Sequence, residues 1–422
     1  MREREPFVLP DDFLFGTATA ATQIEGGDTR SNWYHWARAG NTKDGAGPET
    51  ACDHWIRWQE DLDLIAALNS HSYRLGLDWA RMEPAPGVFD DAAFAHYREE
   101  LKALREAGVE PLVTLYHFAH PQWFEEAGGW PRRGAGADWL RFVSRVLEVL
   151  GDLVTDWITI NEPNVYLIFA HVFGEWPPGD RSILRFFRGA RHMVRAHREA
   201  YTHIHADAVR RSTIARVGVA HHLRVFDPLR PLLRDRFACK VTSYLSQDFF
   251  LKNMTGVGGR WADFLGVNYY SRDMVRFTAD PASGFGVRSV AAGAPVNDLG
   301  WEIYPEGLYR CIRSVYSRYR VPVYITENGT SDANDQFRIA YIYDHVRQIA
   351  RLIADGIPVT RYYHWSLMDN FEWAEGNGPR FGLYNVDYGT QERRPRESAR
   401  FYSELARERA VTRDMLETYL SY

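Results

Sequence analysis

The stretch Asp156-Trp-Ile-Thr-Ile-Asn-Glu-Pro163 decides the architecture. An unbroken run of large and β-branched residues, Trp157 to Ile160, ends in two polar residues, and a proline then turns the chain. A parallel strand covered by helices on both faces needs such a continuous run. The same grammar recurs on either side. It predicts strands over 13–18, 72–79, 111–117, 156–161, 216–221, 264–269, 323–326 and 361–365. Amphipathic helical patterns fill the intervals, over 55–68, 92–107, 138–150, 183–209, 237–251, 305–318, 335–355 and 396–406. Gly108 and Gly356 stand where two of these helices must stop.

Eight strands, each followed by a helix, predict an α/β fold of the (β/α)₈ barrel type, a single domain over 1–422. An open doubly wound sheet is the competing architecture. It would carry a glycine-rich turn after its first strand, but Ala20-Ala-Thr-Gln23 stands there. The turn-rich stretch 277–297 reads as a long surface loop above the barrel.

Composition narrows the function. The 422 residues carry 50 Lys plus Arg against 55 Asp plus Glu, so no basic excess exists to neutralise nucleic-acid phosphates. Lys43, Lys102, Lys240 and Lys252 are the only lysines, which leaves no polybasic lysine run for a membrane surface. No apolar stretch of about 18 residues occurs, so no transmembrane helix is expected. The start, Met1-Arg-Glu-Arg-Glu-Pro, does not read as a secretory signal. Cys52, Cys239 and Cys311 lie far apart without metal spacing, and a reducing, cytoplasmic compartment is the simplest reading.

Barrel chemistry sits where strands end at the carboxyl-terminal face. Those ends hold Gln23, Arg74, His117, Asn161 with Glu162, Asn268 with Tyr270, Glu327 with Asn328, and Trp365 with Glu372 and Trp373. Glu162 and Glu327 stand out, each between an apolar strand and a chain-turning Pro or Gly. A lone strand-end glutamate is usually solvated or salt-bridged. Two on strands four and seven of one barrel make a pair. Glycosidic bond cleavage needs such a pair, one to protonate the leaving oxygen and one to attack the anomeric carbon. A retaining mechanism places the two carboxyls about 5 Å apart.

Thr159-Ile-Asn-Glu-Pro163, Ile325-Thr-Glu-Asn-Gly329 and Trp365-Ser-Leu-Met-Asp-Asn-Phe-Glu-Trp373 resemble the signatures of glycoside hydrolase family 1, the β-glucosidase family. Phe15-Gly-Thr-Ala-Thr-Ala-Ala-Thr-Gln-Ile-Glu-Gly26 resembles its amino-terminal signature. Tyr73-Arg74, Thr114-Leu-Tyr-His117 and Gly266-Val-Asn-Tyr-Tyr270 follow in the right order. The resemblance runs from about Phe13 to about Tyr402, nearly the whole chain.

It implies a retaining exo-β-glycosidase acting on a small β-glycoside or oligosaccharide, with no cofactor and no metal. Glu162 would be the acid/base and Glu327 the nucleophile. Arg74 and Tyr270 would hold the nucleophile ionised, and Asn161 would bond the sugar 2-hydroxyl. Gln23, His117, Glu372 and Trp373 would grip the remaining hydroxyls, above a floor made by Trp365. Relatives acting on 6-phosphorylated sugars generally lack the Glu372-Trp373 pair, which implies a non-phosphorylated sugar here.

The strand-three segment departs from the pattern. It reads His117-Phe-Ala-His-Pro121 where many members have His-Trp-Asp-Leu-Pro, and the loop 330–335 is short. Two further functions compete. A transglycosylase of the same fold differs only in what resolves the intermediate. A non-catalytic sugar-binding barrel generally lacks one glutamate, and both are present here. A thioglucosidase typically carries Gln at the position of Glu162.

Elsewhere, His203-Ile-His205 resembles a metal pair but falls within a helix, and His221-His222 is read as shaping the barrel mouth. Asp53 reads as a helix cap, and the segment 393–409 as a solvated, Arg-rich helix face. The sequence leaves glycone preference and oligomeric state open.

Overall fold

The computed structural model describes residues 4–280 and 285–421. The first three residues of the chain start and Pro281 to Gly284 of the turn-rich stretch lie outside them.

Eight parallel strands close into a barrel. They are β1 (Leu14–Ala18), β2 (Ser72–Gly76), β3 (Glu110–Thr114), β4 (Asp156–Asn161), β5 (Arg216–Pro228), β6 (Phe264–Phe277), β7 (Val323–Asn328) and β8 (Val359–Trp365). Each pairs with the next, and β8 returns to β1 with Trp365 opposite Ala18. All six residues of β4 and of β7 are buried, which is why their sequences lack polar alternation.

Helices α1 (His54–Ala67), α2 (Asp91–Glu106), α3 (Ala135–Leu150) and α4 (Ile183–Arg211) follow the first four strands. Helix α3 shows the packing logic. Trp139, Phe142, Val143, Val146, Leu147 and Leu150 recur at helical spacing and form its buried stripe. Each such side chain contributes about 1.5–3 kcal/mol by leaving water. Helices α5 (Leu233–Ser243), α6 (Phe249–Thr255), α7 (Pro305–Tyr319), α8 (Arg338–Ala354) and α9 (Glu397–Glu408) complete the outer layer.

Several expectations are corrected. The helix expected over 237–251 is two helices, α5 and α6, joined by a π turn at Tyr244–Asp248. The strand expected to reach 79 ends at Gly76, and Trp79 opens a short helix, Trp79–Met82. The stretch 277–297 is not only loop, because Gly286–Ser289 pairs antiparallel with β6. Asp53 precedes α1 but makes no cap bond, and its φ of 54° turns the side chain to Arg57 at 3.4 Å. The segment 393–409 is not uniformly a solvated face. Glu392–Pro395 is a strand, and the Arg393 and Arg396 side chains are only 4% and 7% exposed. They hold the buried carboxylates of Asp61 and Asp369.

Register slips gather near the carboxyl-terminal strand ends, at Ile158/Asn161, Leu223/Val225, Val267/Asn268 and Tyr362/His364. A bulge re-aims the side chain it carries. β5 and β6 continue beyond the barrel as a paired ribbon as far as Pro228 opposite Val275.

Candidate active site

Glu162 leaves β4 with φ of 41° and ψ of 58°, and Pro163 opens the next helix immediately after it. Its N–H donates to the Ala220 carbonyl of β5 at 2.8 Å, which fixes the turn. Glu327 is the penultimate residue of β7, three strands further round the barrel. Both side chains line one cavity of about 240 Å³, and they are 6% and 4% exposed.

A polar chain connects the two. Arg74 of β2, fully buried, donates Nη1 to Glu327 Oε1 at 2.5 Å and Nη2 to Asn161 Oδ1 at 2.7 Å. Asn268 Nδ2 donates to that same oxygen at 3.1 Å and to Glu162 Oε1 at 2.7 Å. Thr326 Oγ1 donates to Asn268 Oδ1 at 2.6 Å, which fixes the amide's orientation. The Tyr270 hydroxyl donates to Glu327 Oε2 at 2.6 Å.

The glutamates are therefore unequal. Burial raises the pKa of each. At Glu162 the Glu327 charge adds to burial, and the group rises well above the carboxylate range. At Glu327 the Arg74 cation and the Tyr270 donor oppose it. The pair ionises at Glu327 first.

The rest of the cavity is built for hydroxyl groups. Asn161 Nδ2 lies 3.0 Å from His117 Nε2. Asn161 Oδ1 accepts from Arg74, which can only donate, so Nδ2 is the donor to His117. That assigns the His117 proton to Nδ1, which is buried without a protein partner. Burial and Arg74 hold this ring far below its ordinary pKa, hence neutral. Gln23 donates Nε2 to Asn370 Oδ1 at 2.8 Å and to the Phe371 carbonyl at 2.9 Å, leaving its buried oxygen without a partner. Trp365 donates Nε1 to Glu372 Oε1 at 3.1 Å. Burial pushes Glu372 up to about 8. Trp373 lies beside His117 and Trp33, with ring centroids 5.9 and 4.8 Å away.

The segment carrying Glu372 and Trp373 is anchored through Asp369, which takes both Arg396 Nη1 at 3.0 Å and Nη2 at 2.9 Å. Phe118 takes φ of 68° and packs between Trp176 and Trp373, at 4.9 and 5.2 Å.

The sequence profile of glycosyl hydrolase family 1 matches residues 5–261 and 254–411. The chain belongs to this family. Beta-glucosidase A of Thermotoga maritima is 35% identical, over 94% of this chain and 98% of that protein. A beta-galactosidase of Pyrococcus woesei is 28% identical, over 98% of this chain and all of the relative. Among solved structures, a beta-glycosidase from Pyrococcus horikoshii superposes with a TM-score of 0.92 at 35% identity, over 98% of each chain. The Thermotoga maritima beta-glucosidase in complex with glucoimidazole gives 0.88 at 32% identity, over 96% of this chain and all of that one. This chain is accordingly a glycoside hydrolase, a β-glycosidase on a (β/α)₈ barrel.

Within that family frame the structure brings Arg74, His117, Asn161, Glu162, Tyr270, Glu327, Trp365, Glu372 and Trp373 around the one cavity, as lining or as hydrogen-bond partners of its lining, while Gln23 reaches the segment that carries Glu372 through Asn370 and Phe371. The sequence assigns no role to Asn268 at its strand end, and in the structure it bridges Asn161 and Glu162. His222 lines the cavity and stacks on Tyr270 at 6.2 Å, while its neighbour His221 is buried. His205 is bonded to Asp263 at 2.8 Å, away from this cavity. In the loop 330–335 Thr330, Ser331 and Asp332 are buried while Ala333 and Asn334 are exposed, and the Asp332 carboxylate accepts from the N–H groups of Phe337 and Arg338 at the start of α8.

Proposed function

We propose that this family 1 chain is one catalytic domain, a retaining exo-β-glucosidase of the cytoplasm that acts on neutral, non-phosphorylated β-glycosides. One observation carries the reading. Two buried carboxyls face one cavity, one held by a cation and a phenol, the other held by an amide alone.

In the first step the ionised Glu327 attacks the anomeric carbon. The glycosidic C–O bond breaks, and Glu162 gives its proton to the departing oxygen. A glycosyl ester on Glu327 results. Esterification removes the negative charge that raised Glu162, so its pKa falls. It then takes a proton from water, whose oxygen attacks the anomeric carbon and displaces Glu327. Two displacements restore the β configuration.

Asn161 spends one amide hydrogen on His117 and keeps the second for the 2-hydroxyl. His117 Nδ1 offers a donor, the Gln23 oxygen an acceptor, and Trp365 an apolar face. Among the described residues the glycone side presents no cation except Arg74, which is committed to Glu327 and Asn161. A phosphate there would lose its hydration without a partner. The three cysteines are free and buried, which suits a reducing compartment.

The test is the anomer released first from an aryl β-glucoside, followed by proton NMR before mutarotation. The β anomer supports the reading. Initial release of the α anomer, or no cleavage, overturns it.

A further inference from the structure

The cavity has a second wall, built where β5 and β6 outrun the barrel. Arg224 lies in the register slip between Leu223 and Val225. Its backbone is paired instead to Gln247, whose Oε1 accepts from Arg224 N at 2.9 Å and whose Nε2 donates to Arg224 O at 3.1 Å. Gln247 comes from the π turn Tyr244–Asp248, a distortion often found beside functional sites. The bulge and this latch turn the Arg224 side chain into the cavity wall. Its Nη1 reaches both Asp273 oxygens, at 3.0 and 3.1 Å, while Nε is buried without a partner.

Arg288, on the returning strand Gly286–Ser289, lines the same cavity. Its side chain is 41% exposed and lies 3.8 Å from Asp273. One carboxylate thus faces two guanidinium groups, leaving a net charge of +1 from these three side chains. The neighbouring acids are engaged elsewhere, Asp227 with Arg272 and Arg310, and Glu302 with Arg272.

The opposite wall is apolar. Ile168 on the next helix and Phe169 and Phe173 in its own π turn, Phe169–Phe173, follow Glu162, with Trp176 just beyond the turn. Phe169 and Trp176 stack at 5.0 Å. Both walls adjoin Glu162, whose N–H is bonded to β5 at Ala220. The proton donor faces the leaving group, so this end of the cavity receives the aglycone.

We propose that the chain selects β-glycosides whose aglycone has an aromatic body and a carboxylate, with the body on the Phe169 and Trp176 wall and the carboxylate on Arg224 and Arg288. Two planar forks suit a carboxylate's two oxygens. This rests on the assignment of Glu162 as the acid that faces the leaving group.

The experiment compares 4-(carboxymethyl)phenyl β-D-glucoside with its primary amide. The methylene insulates the phenol, so the two leaving groups match in acidity and size. In the unmodified protein, kcat/KM should favour the acid by roughly tenfold, one charge-assisted contact's worth. The ratio should fall towards one in Arg288→Gln and in Arg224→Gln. It should also shrink in 1 M NaCl, where screening acts within about 3 Å. A ratio of one or below in the unmodified protein overturns the proposal, as does a ratio that neither substitution lowers. With 4-nitrophenyl β-D-glucoside as control, cleavage without preference for the acid removes the aglycone proposal alone. An inert control removes the catalytic reading beneath it.

Discussion

Glu162 is held in the left-handed region, at φ of 41°, where a side chain with a Cβ is strained by about 1–3 kcal/mol. The strain is imposed by bonds on either side. Asn161 N is tied to Tyr116 O at 2.8 Å, and Glu162 N to Ala220 O at 2.8 Å. The turn aims the carboxyl at Asn268 and the cavity. Glu327 instead keeps a strand backbone beside a register slip and is tuned by its partners. Removing the Tyr270 hydroxyl takes a donor from the ionised form of Glu327. In Tyr270→Phe the Glu327 pKa should therefore rise, moving the acidic limb of the kcat/KM profile to higher pH while the alkaline limb, set by Glu162, moves less. An acidic limb unmoved, or displaced to lower pH, would contradict this assignment. Glu162→Gln should show the complementary behaviour. General acid catalysis contributes about 10²–10⁴-fold. That loss should appear with alkyl glucosides and shrink with dinitrophenyl glucosides, whose leaving groups need no proton. An equal loss on both would place Glu162 outside proton transfer.

Among elements, the β7–β8 junction is the tightest approach at the site. A Cβ on Gly329 would meet the Trp365 carbonyl oxygen at 1.7 Å, backbone against backbone. Gly329→Ala must therefore push β8 from the residue following Glu327 and Asn328. Overpacking of this kind costs about 1–3 kcal/mol, and the displaced Trp365 should raise KM as well. A urea midpoint and KM equal to those of the unmodified chain would show that the junction yields. The strands themselves were legible because a parallel strand buried on both faces writes itself as an apolar run, as in Val323–Asn328. The ribbon was not. Only His222 to Phe226 alternate between more and less buried positions, and Asp227-Pro228 directly after them reads as a turn. The site divides in the same way. Glu162 and Glu327 were visible because each stands at the polar end of its own apolar run. Asn268 as a bridge and Arg224 as a wall were not, because each depends on a one-residue slip between neighbouring strands. Arg396 read as a surface charge because local alternation with glutamate carries no sign of the distant Asp369 that it holds.

At the scale of the whole molecule, the fold encloses imidazoles that cannot take up protons. His197, His221, His345 and His364 are almost wholly buried. Burial holds His197 down at about 4, and His221, His345 and His364 at about 3. In the unfolded chain each titrates near 6.5. Their contribution is thus fully present above pH 6.5 and is lost progressively as pH falls towards about 3, because the unfolded state binds the protons. Each group that is charged only when unfolded steepens stability by about 1.4 kcal/mol per pH unit, and four together by roughly 5–6 kcal/mol per unit. Glu162 and Glu372 act in the opposite sense over the same range, because their raised carboxyls keep protons in the fold that the unfolded chain has lost, so the rings are read from a variant rather than from the whole profile. His345→Gln keeps a donor for the Tyr341 carbonyl, now accepting at 2.8 Å from Nδ1, but removes one titrating ring. In the urea unfolding free energy its slope between pH 6 and 5 should be shallower than that of the unmodified chain by about 1 kcal/mol per pH unit. A slope unchanged in His345→Gln would mean that His345 carries its proton inside the fold.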